Sequence, residues 1–195
     1  MTYKIDNLFP TQLYCSTVSD VEFINSTIDR CIDKIDFKMN DTWGPTHYLS
    51  TSDFEDDIIS EHGLEELSKE IYKHLTAYCK EVGFTFETYD IRSWFTKMEK
   101  GNYAHIHNHG LADISGVYYY KTNGKDGKIF FESPNPHFDT SRCYFWKGYR
   151  REYDPEEGHI LLFPSWLRHG VETNQTDDAR ISLSFNIKFK GFGLE

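Results

Sequence analysis

Apolar side chains recur at helical spacing twice in the first third of the chain. Over residues 21–35 they return every three or four positions, which predicts one amphipathic helix. Ser19, three residues before a glutamate, has the form of a capping box at its start. A second pattern predicts a helix from about Leu64 to Val82, ended by Gly83. We interpret His74, inside this helix, as a structural or surface residue.

From about residue 85 the pattern changes to short segments rich in Val, Ile, Tyr, Phe and Trp, separated by turn residues. The segments predicted as strands are YDIRSWFTKME, DISGVYYYK, GKIFFES, CYFWKG, HILLFPSW and RISLSFNIKFK. Asn123-Gly124 and Asp126-Gly127 favour a hairpin loop between the second and third of them. Helices followed by many antiparallel strands predict an α+β, mostly β fold, in which N-terminal helices buttress a sandwich or barrel.

Length and charge narrow the possible organisation and partners. A chain of 195 residues fits a single domain, with a helical buttress over about 1–84 and a barrel over about 85–195. The net charge of -10, without any basic run, disfavours nucleic acid and anionic lipid as partners. No apolar stretch is long enough to span a bilayer and no secretion signal is evident, so we expect a cytoplasmic protein. The four scattered cysteines fit reduced thiols, and no GxSxG nucleophile setting is present.

The segment HIHNHG places His105, His107 and His109 at every second position. In a strand, side chains two residues apart point to the same face with Cα atoms about 6.6 Å apart, so such a pair can bind one metal ion. Side chains four residues apart lie about 13 Å apart and can share an ion only if the strand bends. His107 belongs to both possible pairs, and its partner is either His105 or His109.

A second segment, GHILLFPSWLRHG, strengthens the prediction of a metal site. Gly158 is followed by Pro164 and then by His169, which predicts a strand, a rigid turn and a histidine at the next strand. Cupin-type barrels resemble this pattern. Their first motif is a glycine, five residues, His-x-His, three or four residues and a carboxylate, and it is matched by Gly101, His107, His109 and Asp113. This match to the motif makes His107 and His109 the metal-binding pair. His105 would then orient a ligand or face the substrate.

The segment RISLSFNIKF has polar and apolar faces. Alternation places Arg180, Ser182, Ser184 and Asn186 on one side of the predicted strand. If this side met solvent, the strand would be an ordinary amphipathic one. If it faced the barrel interior, the guanidinium and the hydroxyl would suit a carboxylate.

Together these segments resemble a family of 2-oxoglutarate/Fe(II)-dependent oxygenases that is common in marine bacteria and their phages and is related in fold to prolyl hydroxylases. The resemblance rests on LFPTQLY near the start, HNHG followed by SGVYYYK, GKIFFESP, and above all GHILLFPSWLRHGV followed by RISLSFN. It extends over nearly the whole chain. It implies a double-stranded β-helix, which is the cupin or jelly-roll barrel, and a location in the host cytoplasm if a phage encodes the protein.

The resemblance also implies roles for particular residues. The wider superfamily holds iron with His-x-Asp and a distal histidine, and binds the far carboxylate of 2-oxoglutarate with a later arginine. In this sequence His107 and His169 would be metal ligands, and Arg180 would anchor 2-oxoglutarate with help from Ser182. Tyr119 occupies the position of a prolyl hydroxylase strand tyrosine and would be a second contact to that carboxylate. The implied activity is an Fe(II)- and 2-oxoglutarate-dependent hydroxylation that releases succinate and CO2.

The sequence departs from the superfamily at one ligand. His109 stands where the superfamily has an aspartate, so the usual set of two histidines and one carboxylate is absent at that spacing. Three neutral imidazoles would leave a bound Fe(II) site at +2, whereas a carboxylate would reduce it to +1. We expect His109 to be the third ligand, with Asp113 as the alternative.

The surroundings of this site are predicted from composition. Candidate walls of the cavity are Phe130, Phe131, Trp146 and Trp166. The segment HFDTSRCYFWKGYRREYDPEEGH mixes basic and aromatic residues and forms either a lid or a solvated loop. Arg142, Arg150 and Arg151 within it would suit an acidic partner. The substrate is expected to be a small molecule or a peptide, and the oligomeric state is left open.

Two other functional classes fit the same residues. One is a three-histidine cupin dioxygenase or isomerase that needs no 2-oxoglutarate, in which Arg180 binds the substrate's own carboxylate. The other is a non-catalytic module in which the histidines bind zinc or pack. Turnover that requires metal but not 2-oxoglutarate would indicate the first of these classes.

Overall fold

The computed structural model of the chain describes residues 2–39, 44–50, 56–135, 137 and 149–194. The helices in these residues are α1 (Val21–Ile32), α2 (Ile58–Glu61) and α3 (Glu65–Val82). The strands are β1 (Tyr14–Thr17), β2 (Lys38–Met39), β3 (Tyr48–Leu49), β4 (Phe84–Met98), β5 (Ala104–His107), β6 (Ile114–Lys121), β7 (Ile129–Glu132), β8 (Arg150–Tyr153), β9 (His159–Pro164), β10 (His169–Val171) and β11 (Arg180–Leu194).

The strands form two sheets. The major sheet has seven strands in the order β1-β9-β6-β11-β4-β3-β2, and the minor sheet has four in the order β5-β10-β7-β8. All pairings between these strands are antiparallel, as predicted. The short strands β1, β2 and β3, which periodicity did not predict, come from the first 84 residues and extend the major sheet.

Helices α1 and α3 pack on one face of the major sheet. Their buried apolar side chains share a core with alternate residues of β4, β6, β9 and β11. The predicted end of α3 at Gly83 is confirmed. The φ of Gly83 is 94°, in the left-handed conformation that favours glycine. The predicted cap of α1 is wrong by one residue. Asp20, not Ser19, caps this helix by accepting a hydrogen bond from the backbone N–H of Phe23 at 3.0 Å.

The tyrosine run of β6 shows how the two faces of the major sheet differ. Tyr118 and Tyr120 point toward α1, where their hydroxyls donate to Asn25 Oδ1 and to Asp29 Oδ1 respectively. Tyr119 points the other way, into a smaller core between the two sheets. Strand alternation thus sends one tyrosine of three toward the space that holds the predicted site residues.

The predicted hairpin after β6 is wrong. Strand β6 pairs with β9 and β11, whereas β7 pairs with β10 and β8, so residues 122–128 cross from one sheet to the other. The crossing is nevertheless an ordered turn, because both carboxylate oxygens of the buried Asp126 accept a hydrogen bond from the Thr122 hydroxyl at 2.8 Å. The interpretation of TNGKDGK as a turn is therefore confirmed.

The predicted lid segment is only partly described. Residues 138–148, which include Arg142, Trp146 and the predicted strand CYFWKG, lie outside the described residues. Arg150 and Arg151 belong to β8 of the minor sheet, so this part of the segment is a strand and not a loop. The guanidinium carbon of Arg150 lies 3.6 Å from the centroid of the Phe130 ring.

Gly116 in β6 lies where the core leaves no space for a side chain. A Cβ at this position would lie 2.3 Å from Cζ of Phe185 and 2.8 Å from Cδ2 of Leu162. We expect Gly116→Ala to lower the free energy of unfolding by about 1–3 kcal/mol, because the core must shift to admit the methyl group. Urea denaturation measures this. Gly193→Ala, whose Cβ meets its nearest atom at 3.6 Å, is the matched control and should leave the stability nearly unchanged. Equal stability of the two variants would contradict the packing argument.

Candidate active site

The pairing of β5 with β10 brings two of the predicted histidines together. His107 ends β5 and is the direct antiparallel partner of His169, which begins β10. Their ring centroids are 4.3 Å apart. His109, two residues past the end of β5, lies 4.9 Å from the His107 ring and 5.3 Å from the His169 ring. One ring nitrogen from each histidine lies within 4.8 Å of the other two. A single ion with bonds of about 2.1 Å can be held by such a group.

The other two candidates for the third ligand lie elsewhere. The His105 ring is exposed and packs edge-on against Tyr103, with centroids 4.9 Å apart. Asp113 is turned toward β11, where its Oδ2 accepts a hydrogen bond from the backbone N–H of Phe189 at 2.8 Å. Among the described residues, the cluster around His107 therefore holds three imidazoles and no carboxylate.

Backbone carbonyls orient two of the three rings. Nδ1 of His107 lies 2.7 Å from the carbonyl oxygen of His105, and Nδ1 of His169 lies 2.9 Å from that of Leu167. A carbonyl can only accept, so each Nδ1 carries the hydrogen and donates it. The lone pair is thereby left on Nε2 of each ring, which is the arrangement that a metal ion requires.

His109 is positioned by a separate polar network. Its backbone N–H donates to the carbonyl of Ser165, in the turn after Pro164, at 2.8 Å. Its Nδ1 lies 3.4 Å from the side-chain amide of Asn186, which in turn accepts a hydrogen bond from the Ser115 hydroxyl at 2.7 Å. Alternation along RISLSFN predicted the side of the strand on which Asn186 lies. It could not predict this contact, because the contact depends on the loop after β5.

Burial keeps the three imidazoles neutral. It lowers the pKa of His107, lowers that of His169 well below 6.5, and lowers that of His109 to about 3. The neighbouring imidazoles lower the pKa of His109 and His169 further, since two positive charges would face each other across the cluster. Neutral rings offer lone pairs to a metal at neutral pH without prior loss of a proton.

The buried histidines also predict a pH dependence of stability in the metal-free protein. An unfolded histidine titrates near 6.5, whereas the pKa of folded His47 is about 4 and that of His109 about 3. As the pH falls through this window the unfolded chain takes up protons that the folded chain does not. We therefore expect the free energy of unfolding to decrease between neutral pH and about pH 5. Urea denaturation at the two pH values measures it, and a stability that is equal or higher at the acid pH would contradict the argument.

The three histidines line a cavity of about 580 Å³ between the two sheets. The cavity runs along the inner faces of β4, β6 and β11, so the polar side of RISLSFN faces the interior and not solvent. Trp94 and Phe163 supply aromatic walls, and the Trp94 ring centroid is 6.0 Å from that of His109. None of the three predicted walls that the structure describes lines the cavity: Phe130 lines a groove on the other side of the minor sheet, and Trp166 is 52% exposed. Phe131 lies behind His169, with ring centroids 6.0 Å apart.

Arg180 lines the same cavity and is only 2% exposed. Its Nη1 donates to the carbonyl of Gly127 at 2.7 Å, and its Nη2 lies 2.8 Å from the sulfur of Met98. Its Nε–H is buried and has no hydrogen-bond partner among the described residues. Burial lowers the pKa of Arg180, but a guanidinium retains its charge even in a protein interior. A buried cation with an unpaired donor is suited to an anionic ligand.

The other two residues predicted beside Arg180 are found there. Tyr119 is 2% exposed, and its ring centroid lies 5.8 Å from the Arg180 guanidinium carbon. Burial raises the pKa of Tyr119 to about 12, so its hydroxyl keeps its proton and can donate a hydrogen bond. Ser182 is buried, lines the cavity and is the pairing partner of Tyr119 across β11 and β6.

The cavity lining includes a histidine that the sequence analysis did not predict. His47, immediately before β3, is buried and lines the cavity together with His107 and Arg180. No local signal marks it, because β3 has only two residues and shows no periodicity.

Comparisons with known proteins agree with this geometry. Residues 92–186 match the family described as "Putative 2OG-Fe(II) oxygenase", and this stretch contains the three clustered histidines and Arg180. No curated protein sequence matches the chain. The match confirms the predicted resemblance, the oxidoreductase class, and Fe(II) and 2-oxoglutarate as the cofactors.

Solved structures show the fold. HygX from Streptomyces hygroscopicus with nickel, 2-oxoglutarate and hygromycin B bound is similar, with a TM-score of 0.66 and 9% identity over 92% of this chain and 84% of that one. A Pseudomonas putida prolyl-4-hydroxylase has a TM-score of 0.60 and 14% identity over 93% and 94% of the two chains. A Trichoplax adhaerens prolyl hydroxylase in complex with a peptide fragment of hypoxia inducible factor has a TM-score of 0.61 and 11% identity over 91% and 83%. The predicted double-stranded β-helix is thus confirmed. No described helix has the length and apolar character needed to cross a bilayer.

Proposed function

We propose that this chain is a dioxygenase that hydroxylates a small molecule or a peptide. The premise of the proposal is the match to the 2OG-Fe(II) oxygenase family. The observation that carries the proposal is the occurrence, in one cavity, of three clustered neutral imidazoles and a buried guanidinium with an unpaired donor. The proposed reaction converts a substrate C–H, 2-oxoglutarate and O2 into a C–OH, succinate and CO2.

His107, His109 and His169 would hold the Fe(II). They fit it because their donor atoms converge, their rings are neutral, and two of them carry the hydrogen on Nδ1, which leaves the lone pair on Nε2. When bound, Fe(II) with 2-oxoglutarate supplies the oxidising chemistry of the reaction. The protein's part is to fix the three rings on one side, so that the remaining coordination positions stay open to ligands.

Arg180 would hold the carboxylate of 2-oxoglutarate that lies away from the metal. The Nε–H, which has no hydrogen-bond partner in the part of the chain that the structure describes, would donate to it, and the charge of the guanidinium would offset that of the carboxylate in the dry interior. Tyr119 would add a hydroxyl donor from β6, and Ser182 a second from β11. Because Nη1 is tied to the Gly127 carbonyl, the guanidinium has a fixed orientation before the ligand arrives.

The walls of the cavity would exclude water around the bound co-substrate. Ala104, Val117, Ile129, Phe163 and Val171 supply apolar surface between the two sheets. In such surroundings the attraction between Arg180 and a carboxylate is stronger than it would be in water. A substrate would approach from the side of Trp94 and the loop at Leu111, which is 89% exposed and also lines the cavity.

The class of the substrate is taken from the fold as an analogy. HygX is described with hygromycin B bound, and the Trichoplax adhaerens enzyme with a peptide fragment. A small molecule or a peptide is accordingly the substrate class that we propose here.

One observation favours a second candidate function. The metal cluster contains three imidazoles and no carboxylate among the described residues, which is the ligand set of a three-histidine cupin dioxygenase. In that case Arg180 would bind the carboxylate of the substrate itself, and no 2-oxoglutarate would be consumed. The family match favours the 2-oxoglutarate-dependent reaction.

Formation of succinate tests the proposed function. The protein is incubated with Fe(II), ascorbate, O2 and 2-oxoglutarate, and succinate is measured by mass spectrometry. We expect slow succinate formation that requires protein, metal and O2, and that is lost in His107→Ala. Tight metal binding without any succinate, even with candidate peptides and amino acids added, would sink the proposal in favour of the three-histidine cupin or a non-catalytic module.

A further inference from the structure

The cavity has a buried end and an open end, and the inner faces of β4 and β11 run from one to the other. Arg180, which pairs with Met98, is 2% exposed and lies at the buried end. Lys188, which pairs with Asp90, lines the same cavity further along β11, and its side chain is 59% exposed. The two pairs lie about 26 Å apart along the strands. Lys188 and Asp90 therefore stand at the open end, which we call the mouth of the cavity.

The histidine cluster lies near the row of residues just inside the mouth. The Trp94 ring centroid is 6.0 Å from that of His109, and the side-chain amide of Asn186 is 3.4 Å from His109 Nδ1. Arg92 pairs with Asn186 and lines the cavity on the same face of β4 as Trp94, two residues nearer the mouth. Cα atoms two residues apart on a strand are separated by about 6.6 Å. Arg92 thus lies one step from the cluster, on the side away from Arg180.

Positive charge is concentrated along this cavity, although the chain carries a net charge of -10. Besides the neutral histidines, its described lining contains one carboxylate and three cations, which are Asp90, Arg92, Arg180 and Lys188. The carboxylate of Asp90 is in an ion pair with Lys190 at 2.5 Å, and that of Asp113 lies 3.9 Å from Lys188 Nζ. These groups at the mouth, taken together with Arg92, leave an excess of positive charge. Such a lining attracts anions.

We propose that Arg92 determines the substrate class: its guanidinium binds a carboxylate of the primary substrate, which is a small carboxylic acid. The inference rests on the proposed function. With 2-oxoglutarate held by Arg180, the space left for the substrate lies between the histidine cluster and the mouth. The short step from Arg92 to the cluster suits an acid in which only a few carbon atoms separate the carboxylate from the reacting C–H bond.

The two cations near the mouth would act differently on such an acid. The planar guanidinium of Arg92 can bind a carboxylate through two parallel hydrogen bonds and so orient the substrate against the cluster. Lys188, further out and largely exposed, would attract the anion as a point charge without fixing its orientation. Arg92 is therefore the residue on which discrimination between an acid and its neutral analogue depends.

Succinate formation with matched acids and amides tests this assignment. The full chain, with Fe(II), ascorbate, O2 and 2-oxoglutarate, is given each free and each N-acetylated L-amino acid in parallel with its carboxamide, which lacks the carboxylate charge. We expect at least one acid to accelerate succinate formation, with a KM about tenfold or more below that of its amide. This comparison uses the wild type and does not depend on the folding of any variant.

Three variants then assign the preference to Arg92. Arg92→Gln should raise the KM for that acid about tenfold or more and abolish the preference for the acid over the amide, with a smaller change in kcat. Arg92→Lys should restore only part of the affinity, because it keeps the charge but not the paired hydrogen bonds. Arg168→Gln is the matched control, since it removes an exposed cation outside the cavity, and it should keep the wild-type KM and preference.

The outcomes separate this inference from the proposed function. Equal KM values for acid and amide in the wild type, or an unchanged acid KM in Arg92→Gln, would overturn the inference and leave the proposed function standing. Acceleration by none of the acids, in a protein that forms succinate slowly without added substrate, would do the same. A protein that binds Fe(II) but neither binds 2-oxoglutarate nor forms succinate would overturn the proposed function itself.

Discussion

Replacing His169 by alanine is expected to weaken Fe(II) binding about 100-fold or more, because it removes one of the three proposed ligands and leaves only two imidazoles to hold the ion. Of the three proposed ligands, His169 is the one that the fold fixes most firmly. It begins β10, its ring is 5% exposed, and its Nδ1 lies 2.9 Å from the Leu167 carbonyl. Anaerobic equilibrium binding of Fe(II), or of nickel in air, measures the change.

The matched controls are the two rejected ligand candidates. His105→Ala and Asp113→Asn should each keep the metal affinity within about threefold of the wild type, since neither side chain lies in the cluster. His109→Ala should lose affinity as His169→Ala does. Loss of binding in His105→Ala or Asp113→Asn, with binding retained in His109→Ala, would contradict the ligand set proposed here.

Replacing Arg180 by leucine is expected to weaken 2-oxoglutarate binding about 100-fold or more while metal binding is retained. Leucine fills part of the same buried space without leaving an uncompensated charge, so the barrel should still fold. Arg180→Lys should recover only part of the affinity, because an ammonium group cannot form the paired hydrogen bonds of a guanidinium.

The control for Arg180 is an arginine outside the cavity. Arg168 is exposed and pairs with Glu132 at 2.9 Å, so Arg168→Leu removes a cation from the same barrel without touching the site. We expect it to bind 2-oxoglutarate like the wild type. If the two leucine variants bound 2-oxoglutarate equally well, the proposed role of Arg180 would be wrong.

Local pattern predicted the two long helices, α1 and α3, and most of the long strands, because each of these depends on periodicity within one segment. The same holds for the inward side of β11, where alternation places Arg180 and Ser182 together. His107 and His169 were predicted as neighbours from a resemblance to barrel motifs. The structure supplies the physical reason, which is the direct pairing of β5 with β10.

What the pattern could not predict depends on contacts between distant segments. Asn123-Gly124 is typical of a hairpin, yet here it begins a crossing between sheets, because β6 pairs with β9 and β11. His47 comes to the cavity through a strand of two residues, too short to have a period. Asn186 contacts His109 across 77 positions of sequence. Strand register decides each of these contacts, and register is not local.

The replacement of an aspartate by His109 also affects the electrostatics of the site. With three neutral imidazoles a bound Fe(II) keeps its full charge, whereas a carboxylate ligand would offset part of it. Among the described residues, the cluster of His107, His109 and His169 includes no carboxylate. A dianionic co-substrate would therefore be attracted by both the metal and Arg180.

The central claim is that the three histidines and Arg180 form one site for Fe(II) and 2-oxoglutarate. Anaerobic titration of the metal-free protein with Fe(II), and then with 2-oxoglutarate, tests it by the visible charge-transfer band that appears when a keto acid chelates iron. The account predicts a band in the wild type, no band in His169→Ala, and a band in Arg180→Leu that requires far more 2-oxoglutarate. Tight Fe(II) binding without a band at any concentration of 2-oxoglutarate would contradict it.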